Sequence, residues 1–161
     1  MSRLELIPVT GQHAEEMFCV LSDQELYRFT GGEPPASLEA VRRWFTALET
    51  RKSPDGLEQW LTWIVRLADT KVCIGYVQAT VKDGQADIAW LIGTEWQGRG
   101  LAKEAVLLMR DLLAANSIHR LEAHIHPEHV ASQRVARCAG LSLTEKFADG
   151  EQIWVTSPAV V

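Results

Sequence analysis

The chain has 161 residues and a formal net charge of −5; 47% of the residues are hydrophobic and 23% are charged. This length and balance indicate a single globular domain, 1–161, and exclude a disordered chain. The sequence has no apolar run long enough to span a bilayer and no basic stripe, so we expect neither a membrane nor a nucleic acid as partner.

The first third of the chain predicts a strand and two helices. The N-terminus carries Glu5 and lacks an apolar signal core, which predicts a cytoplasmic protein. A strand over 4–9 and a helix over 13–21 are expected to precede a Gly-Pro break at 31–35. Ser37 can cap the next helix. The apolar face of that helix repeats at the i, i+3, i+4, i+7 spacing and consists of Val41, Trp44, Phe45 and Leu48.

The centre of the chain predicts an antiparallel meander. Residues 60–67 and 71–81 are rich in β-branched and aromatic side chains, as strands are. The Asp83-Gly84 pair is a strong hairpin signal, because both residues tolerate positive φ. The returning strand is expected over 86–92.

The remainder of the chain predicts a crossover and a final hairpin. A helix over 99–115 lies between two predicted strands, 86–92 and 121–125, which implies that these two strands are parallel. A helix over 130–139 is followed by a hairpin around Asp149-Gly150. The expected fold class is therefore α/β, with a mixed sheet and helices on both faces.

The sharpest chemical signal is the glycine-rich loop at 97–102, between a strand and a helix. Glycines allow a ligand to approach the backbone, and the free amides at a helix N-terminus favour an anion such as a pyrophosphate. The run lacks the Lys-Ser/Thr ending of a Walker A loop, and Lys103 occupies the place of the third glycine of a dinucleotide fingerprint. Taken alone, the loop is equally compatible with a glycine-rich helix start that holds no ligand.

These residues resemble the acetyl-CoA signature of the GNAT (Gcn5-related N-acetyltransferase) superfamily. The signature Gln/Arg-x-x-Gly-x-Gly/Ala is matched at Gln97, Gly100 and Ala102. Residues 21–44 and 126–141 resemble the branch of ribosomal-protein-alanine N-acetyltransferases. The resemblance implies a GNAT fold, with a mostly antiparallel sheet and one splayed parallel strand pair, and an acetyltransferase that uses acetyl-CoA (coenzyme A).

The resemblance also implies roles for particular residues. The end of the fourth strand would pair with the pantetheine arm, and Ser132 would lie near the thioester sulfur. Backbone amides from the loop and the start of the helix would hold the pyrophosphate. The residues implied to bind the cofactor are Trp90, Leu91, Ile92, Gln97, Gly98, Arg99, Gly100, Leu101, Ala102, Lys103, His129 and Ser132.

Two positions depart from the family pattern. His129 stands where the family usually has an Asn that contacts the cofactor arm. Ala136 stands where many members have a tyrosine general acid, which leaves Ser132 as the hydroxyl that could protonate the thiolate. Cys138 could be a thiol nucleophile, but a structural role is favoured, since this chemistry normally proceeds by direct attack. The three cysteines show no CxxC spacing, so neither a disulfide framework nor a metal site is expected.

A base is also required, because a free alkyl amine with a pKa of about 10 is mostly protonated at neutral pH. The family often places an acid on the fourth strand, which indicates Asp87. An imidazole could also act as the base, which makes His126 a further catalytic candidate. His126 and His124 alternate with apolar residues on the next strand and share a side with Glu122. For any one of these side chains considered alone, an ordinary solvated or satisfied polar group is the favoured interpretation.

The sequence does not determine the acceptor substrate or the oligomeric state. A protein N-terminus or a small-molecule amine would fit the transferase hypothesis, and Trp44 and Trp96 could wall the acceptor pocket. A module of the same fold that binds CoA without catalysing transfer is the alternative. A homodimer is possible through an exposed edge strand.

Overall fold

A computed structural model describes residues 2–156 of the chain. The described strands are β1 (Leu4–Pro8), β2 (Gln59–Leu67), β3 (Cys73–Lys82), β4 (Gln85–Ile92), β5 (Arg120–Ile125), β6 (Leu141–Ala148) and β7 (Glu151–Thr156). The α-helices are α1 (Ala14–Leu21), α2 (Leu38–Leu48), α3 (Leu101–Ala115) and α4 (Val130–Cys138). No helix within residues 2–156 combines the length and apolarity needed to cross a membrane.

The strands form one sheet in the order β1-β2-β3-β4-β5-β7-β6. All neighbouring strands are antiparallel except β4 and β5, which are parallel and are joined by α3. The predicted meander, crossover and terminal hairpin are therefore confirmed, and with them the mixed sheet of the predicted fold class.

Both predicted Asp-Gly hairpins have the expected backbone conformation. Asp83 and Gly84 have φ values of 53° and 75°, and Asp149 and Gly150 have φ values of 52° and 81°. Two successive residues with positive φ match the right-handed twist of the flanking strands. These local turns fix the register of β4 on β3 and of β7 on β6.

The second helix begins and packs largely as predicted. The Ser37 hydroxyl accepts a hydrogen bond from the Ala40 amide at 3.1 Å, which caps α2. Val41, Phe45 and Leu48 are buried. Trp44 differs, since 39% of it is exposed, although its ring contacts those of Phe45 and Tyr76.

Two apolar layers cover the two faces of the sheet, as predicted. One layer packs α3 and α4 on the sheet through residues such as Ile88, Met109 and Ala136. The other packs α1 and α2 on the opposite face through residues such as Met17 and Phe45. Because side chains alternate along a strand, Asp87 and Leu91 of β4 lie on the α1–α2 face.

The third helix begins at Leu101 rather than at residue 99. Gly98 and Gly100 have φ values of 79° and 76°. These left-handed conformations cannot continue an α-helix, so the glycines form a loop that ends at the first residue of α3.

Candidate functional site

A gap opens between β4 and β5. The two strands pair only over residues 85–87 of β4 and 120–122 of β5. From Ile88 to Ile92, β4 has no partner on this side in the described part of the chain, while β5 continues against β7. A sheet that separates in this way leaves a row of backbone hydrogen-bonding groups free for an added strand-like ligand.

The backbone groups that face the gap follow from the pairing of β4 with β3. The Gly93 amide donates to the Ile74 carbonyl oxygen at 2.7 Å. Opposed residues of an antiparallel pair alternate between hydrogen-bonded and non-hydrogen-bonded pairs. Counting back along the register, Leu91 is directed at β3, whereas Trp90 and Ile92 are directed into the gap.

Gln97 braces the loop that follows β4. Its side-chain amide donates to the Ile92 carbonyl oxygen at 2.8 Å. This bond ties the start of the glycine loop to the end of the strand, so Gln97 shapes the site as well as lining it.

The glycine loop presents open space on its outer side. A Cβ added at Gly98 would meet nothing within 4 Å, and one added at Gly100 would have the Arg3 Nη2 as its nearest neighbour at 3.7 Å. The first intrahelical bond of α3 runs from the Glu104 amide to the Gly100 carbonyl oxygen at 3.1 Å. The amides of the first helical residues therefore lack intrahelical acceptors and can bind an anion.

A guanidinium from the other end of the chain lies beside this loop, and sequence reasoning missed it. Arg3 binds Glu104 through Nε at 2.8 Å and donates from Nη1 to the Arg99 carbonyl oxygen at 3.2 Å. Arg3 and Arg99 are 96 positions apart in the sequence, so no local sequence pattern could have revealed this hydrogen bond.

A cavity of about 400 Å³ joins the gap to the loop and reaches α4. Arg99 is the one residue implied to bind the cofactor that does not line it; its guanidinium instead donates to the Glu95 carbonyl oxygen at 3.4 Å. The residues that line it as implied are Trp90, Leu91, Ile92, Gln97, Gly98, Gly100, Leu101, Ala102, Lys103, His129 and Ser132. The lining also includes Trp96, assigned earlier to the acceptor pocket, and Leu26, Thr30, Ala131, Arg134, Val135 and Cys138, which were not anticipated as cofactor contacts.

Ser132 and His129 form a pair at the start of α4. Ser132 is buried, and its Oγ lies 3.2 Å from the His129 Nε2. The imidazole of His129 is stacked on the ring of Phe29, with centroids 4.7 Å apart and planes at 20°. Burial, and then the nearby His126, lower the pKa of His129 below its usual 6.5.

The structure separates two of the proposed catalytic residues. Asp87 is opposite Glu122 in the register of β4 and β5. His126 follows Glu122 by four residues, a separation of about 13 Å in an extended strand. Its Nδ1 accepts a hydrogen bond from the Glu128 amide at 3.0 Å, and it does not line the cavity. His124, not His126, is the imidazole beside Asp87.

Asp87, Glu122 and His124 form a polar cluster on the α1–α2 face. Their donor atoms lie within 4.8 Å of one another, and the His124 Nε2 is 3.2 Å from a Glu122 carboxylate oxygen. Desolvation raises the pKa of Asp87, and Glu122 and Glu151 raise it further, against the opposing effect of His124. A carboxylate so placed is a stronger proton acceptor than an isolated one. The donor set would also suit a divalent transition metal, which sequence analysis did not anticipate.

An aromatic wall lies near the end of β4 on the same face. Tyr76 is opposite Leu91 in the register, and the ring of Trp44 meets that of Tyr76 edge-on at 5.9 Å. Desolvation raises the pKa of Tyr76 to about 12, so its hydroxyl stays protonated. Trp44, which the sequence analysis suggested as a wall of the acceptor pocket, thus lies near the end of β4.

Comparisons with known proteins agree with this geometry. A family model described as acetyltransferase (GNAT) domain matches residues 3–142. No curated protein matches the chain in sequence.

Solved structures share the fold. The chain is similar to RimL, a ribosomal L7/L12 alpha-N-protein acetyltransferase in complex with coenzyme A, with a TM-score of 0.78 and 18% identity over 96% of this chain and 94% of that one. It is similar to AAC(6')-Ib in complex with paromomycin and acetyl-CoA, with a TM-score of 0.76 and 19% identity over 96% and 92%. An acetyltransferase from Thermus thermophilus gives a TM-score of 0.75 and 23% identity over 96% of each chain.

Proposed function

Because this chain belongs to the acetyltransferase (GNAT) family, we propose that it transfers an acetyl group from acetyl-CoA to a primary amine by direct attack. The observation that carries the proposal is the cavity that runs from the separated strands to the glycine loop. Its elongated course along a strand end and a helix N-terminus suits a ligand with an extended arm and a diphosphate.

The cofactor would lie with its diphosphate on the amides of residues 98–103. Lys103 and Arg134 line the cavity and would offset the negative charge of the phosphates. The pantetheine arm would add to β4 by hydrogen bonds with Trp90 and Ile92, which leads the thioester towards Ser132.

Asp87 would accept the proton that the amine must lose. It lies about 13 Å along the strand from Leu91, so bridging water would carry the proton. As the C–N bond forms and the C–S bond breaks, Ser132 would give a proton to the departing sulfur. The carboxylates of Asp87, Glu122 and Glu151 support an acceptor that carries positive charge.

The proposal is tested first at the cofactor site. Gly100→Glu places a carboxylate where the diphosphate would lie, so acetyl-CoA binding measured by calorimetry should be lost. Gly84→Glu is the matched control: Gly84 has a φ of 75°, close to the 76° of Gly100, and open space around it, but lies at the far hairpin. Equal affinity in wild type and Gly100→Glu would refute this placement of the cofactor.

Turnover is tested by thiol release from acetyl-CoA with a panel of amines: N-terminal peptides, polyamines and aminoglycosides. Release with any of them identifies the acceptor class.

The second candidate function is a CoA-binding regulatory module, which is favoured by the buried Ala136 in place of a tyrosine. Binding of acetyl-CoA without release across the whole panel would support that candidate. The cytoplasmic location and the homodimer stay predictions of the sequence.

A further inference from the structure

The buried hydroxyl in the cavity has a single described partner. Ser53, Thr62 and Ser132 are the buried polar residues of the described chain, and of these only Ser132 lines the cavity. A serine hydroxyl has one hydrogen to donate and two lone pairs to accept. The direction of the bond between Ser132 and His129 therefore decides where the serine hydrogen points.

The two possible directions have opposite consequences. If the His129 Nε2 accepts, the serine hydrogen is used up in that bond and the cavity meets only oxygen lone pairs. If Nε2 carries the hydrogen and donates, the hydrogen of Ser132 is free to point into the cavity. Only the second arrangement can protonate a departing sulfur.

The imidazole of His129 is held by Phe29 on one face and by Ser132 at Nε2, and the backbone of His129 is fixed by His126. The imidazole ring lies flat on Phe29, and the His129 backbone amide donates to the His126 carbonyl oxygen at 2.9 Å. Phe29 belongs to the segment that brings Leu26 and Thr30 to the cavity, and the guanidinium of Arg28 lies 5.3 Å from the Phe29 centroid. Arg28 and His126 both lie against Phe29, and Lys103, Arg134 and Cys138 line the cavity with His129.

We infer that His129 is a positioning residue, which donates its Nε2 hydrogen to the Ser132 oxygen and so directs the Ser132 hydrogen at the leaving sulfur. The inference rests on the proposed acetyl transfer. It explains how Ser132, oriented by His129, could act as the general acid in a chain that has Ala136 where many family members have a tyrosine.

The proton transfers balance as follows. The amine nitrogen forms the C–N bond, the C–S bond breaks, and its electron pair leaves on sulfur. Ser132 passes its proton to sulfur, the His129 Nε2 passes its proton to the serine oxygen, and water supplies a proton at Nδ1. The imidazole is neutral before and after, and the proton lost by the amine returns to water through Asp87.

The neutral state of the ring fits this scheme. Burial lowers the pKa of His129, and the cationic form of His126 would lower it further. At neutral pH the ring therefore has one N–H and one lone pair, as a relay between water and Ser132 requires. His129 is only partly buried, so water can reach the ring.

The test replaces the imidazole by a ring that stacks but cannot donate. His129→Phe keeps a ring on Phe29 and should lower kcat about 100-fold, the lower end of the range for general acid catalysis, with the KM for acetyl-CoA within about threefold of wild type. Ser132→Ala should lose about as much, and the double variant little more, because the two groups act as one unit. The solvent isotope effect on kcat should fall towards one in all three variants.

Two further variants separate this role from packing. His129→Gln keeps an N–H donor at similar reach and should recover at least about tenfold in kcat over His129→Phe. His119→Phe is the matched control, because His119 is exposed and lies outside the cavity. His119→Phe should have the same kcat, KM for acetyl-CoA and solvent isotope effect as the wild type.

The outcomes are distinguishable. Wild-type kcat in His129→Phe, or a loss confined to the KM for acetyl-CoA, would overturn the inference while acetyl transfer stands. If Ser132→Ala alone retains wild-type kcat, the inference also fails, and this variant needs no change at His129. If the wild-type protein binds acetyl-CoA but releases no thiol with any amine, both the proposed function and the inference about His129 are refuted.

Discussion

At the scale of single residues, the surroundings of Asp87 make it a candidate base. It is exposed to solvent at the point where β4 and β5 separate, yet desolvation and the carboxylates of Glu122 and Glu151 raise its pKa. The Asp87 carboxyl must be ionised to accept a proton. Its raised pKa therefore shifts the acidic side of the pH–rate profile to higher pH. Activity should fall as the pH is lowered through that pKa.

Asp87→Asn should lower kcat by about 100-fold or more, because an amide cannot accept the proton. Thermal unfolding should show no loss of stability, because the variant removes a carboxylate that is crowded by two others. Asp83→Asn, at the exposed hairpin turn, is the matched control and should leave both quantities unchanged. A fully active Asp87→Asn would remove Asp87 from the mechanism.

At the scale of elements, the end of β4 depends on a glycine in its neighbour. Gly75 of β3 is opposite Ile92, and a Cβ there would collide with the Leu91 carbonyl oxygen and lie 2.9 Å from the Ile92 Cα. The absence of a side chain at Gly75 lets β4 lie close to β3. This close pairing fixes the position of β4, whose opposite edge faces the gap.

Gly75→Ala should therefore displace the end of β4, lower the free energy of unfolding by about 1–3 kcal/mol and weaken acetyl-CoA binding. Denaturant unfolding and calorimetry measure the two effects. Gly84→Ala should reduce stability only through its positive φ and leave the cofactor affinity unchanged. If Gly75→Ala binds acetyl-CoA as tightly as wild type, the close approach of the strands is not needed for the site.

At the scale of the whole molecule, burial of two imidazoles links stability to pH. Desolvation lowers the pKa of His13, beside α1, and of His129, before α4. A depressed histidine pKa means that the unfolded chain binds more protons. The folded state is then fully favoured above the unfolded value of 6.5 and loses stability as the pH falls from 6.5 through the lowered pKa.

Urea unfolding should accordingly give a smaller free energy of unfolding at about pH 5.5 than at about pH 7.5. His129→Phe should show a weaker loss over this window, because one of the two imidazoles no longer titrates. His119→Phe should keep the wild-type dependence. Identical pH dependence in His129→Phe and wild type would show that His129 titrates normally in the folded protein.

Much of the fold follows from local signals in the chain. The Asp-Gly pairs determine the turns through their tolerance of positive φ, the Ser37 hydroxyl starts α2, and the β-branched and aromatic side chains mark the central strands. The turn of the glycine loop is also local, since Gly98 and Gly100 supply its positive φ values. These features were predictable because each depends on residues a few positions apart.

Other features were decided only by the way the layers pack. His124 rather than His126 lies beside Asp87, because the parallel register places Asp87 opposite Glu122, and His124 is the next residue on that face of β5. Phe29 covers His129, and Arg3 reaches the glycine loop, through contacts between segments far apart in the chain. Sequence determined the turns, caps and backbone groups available for binding; the tertiary structure decided which side chains meet, because contacts across many residues depend on the relative placement of whole elements rather than on any local pattern.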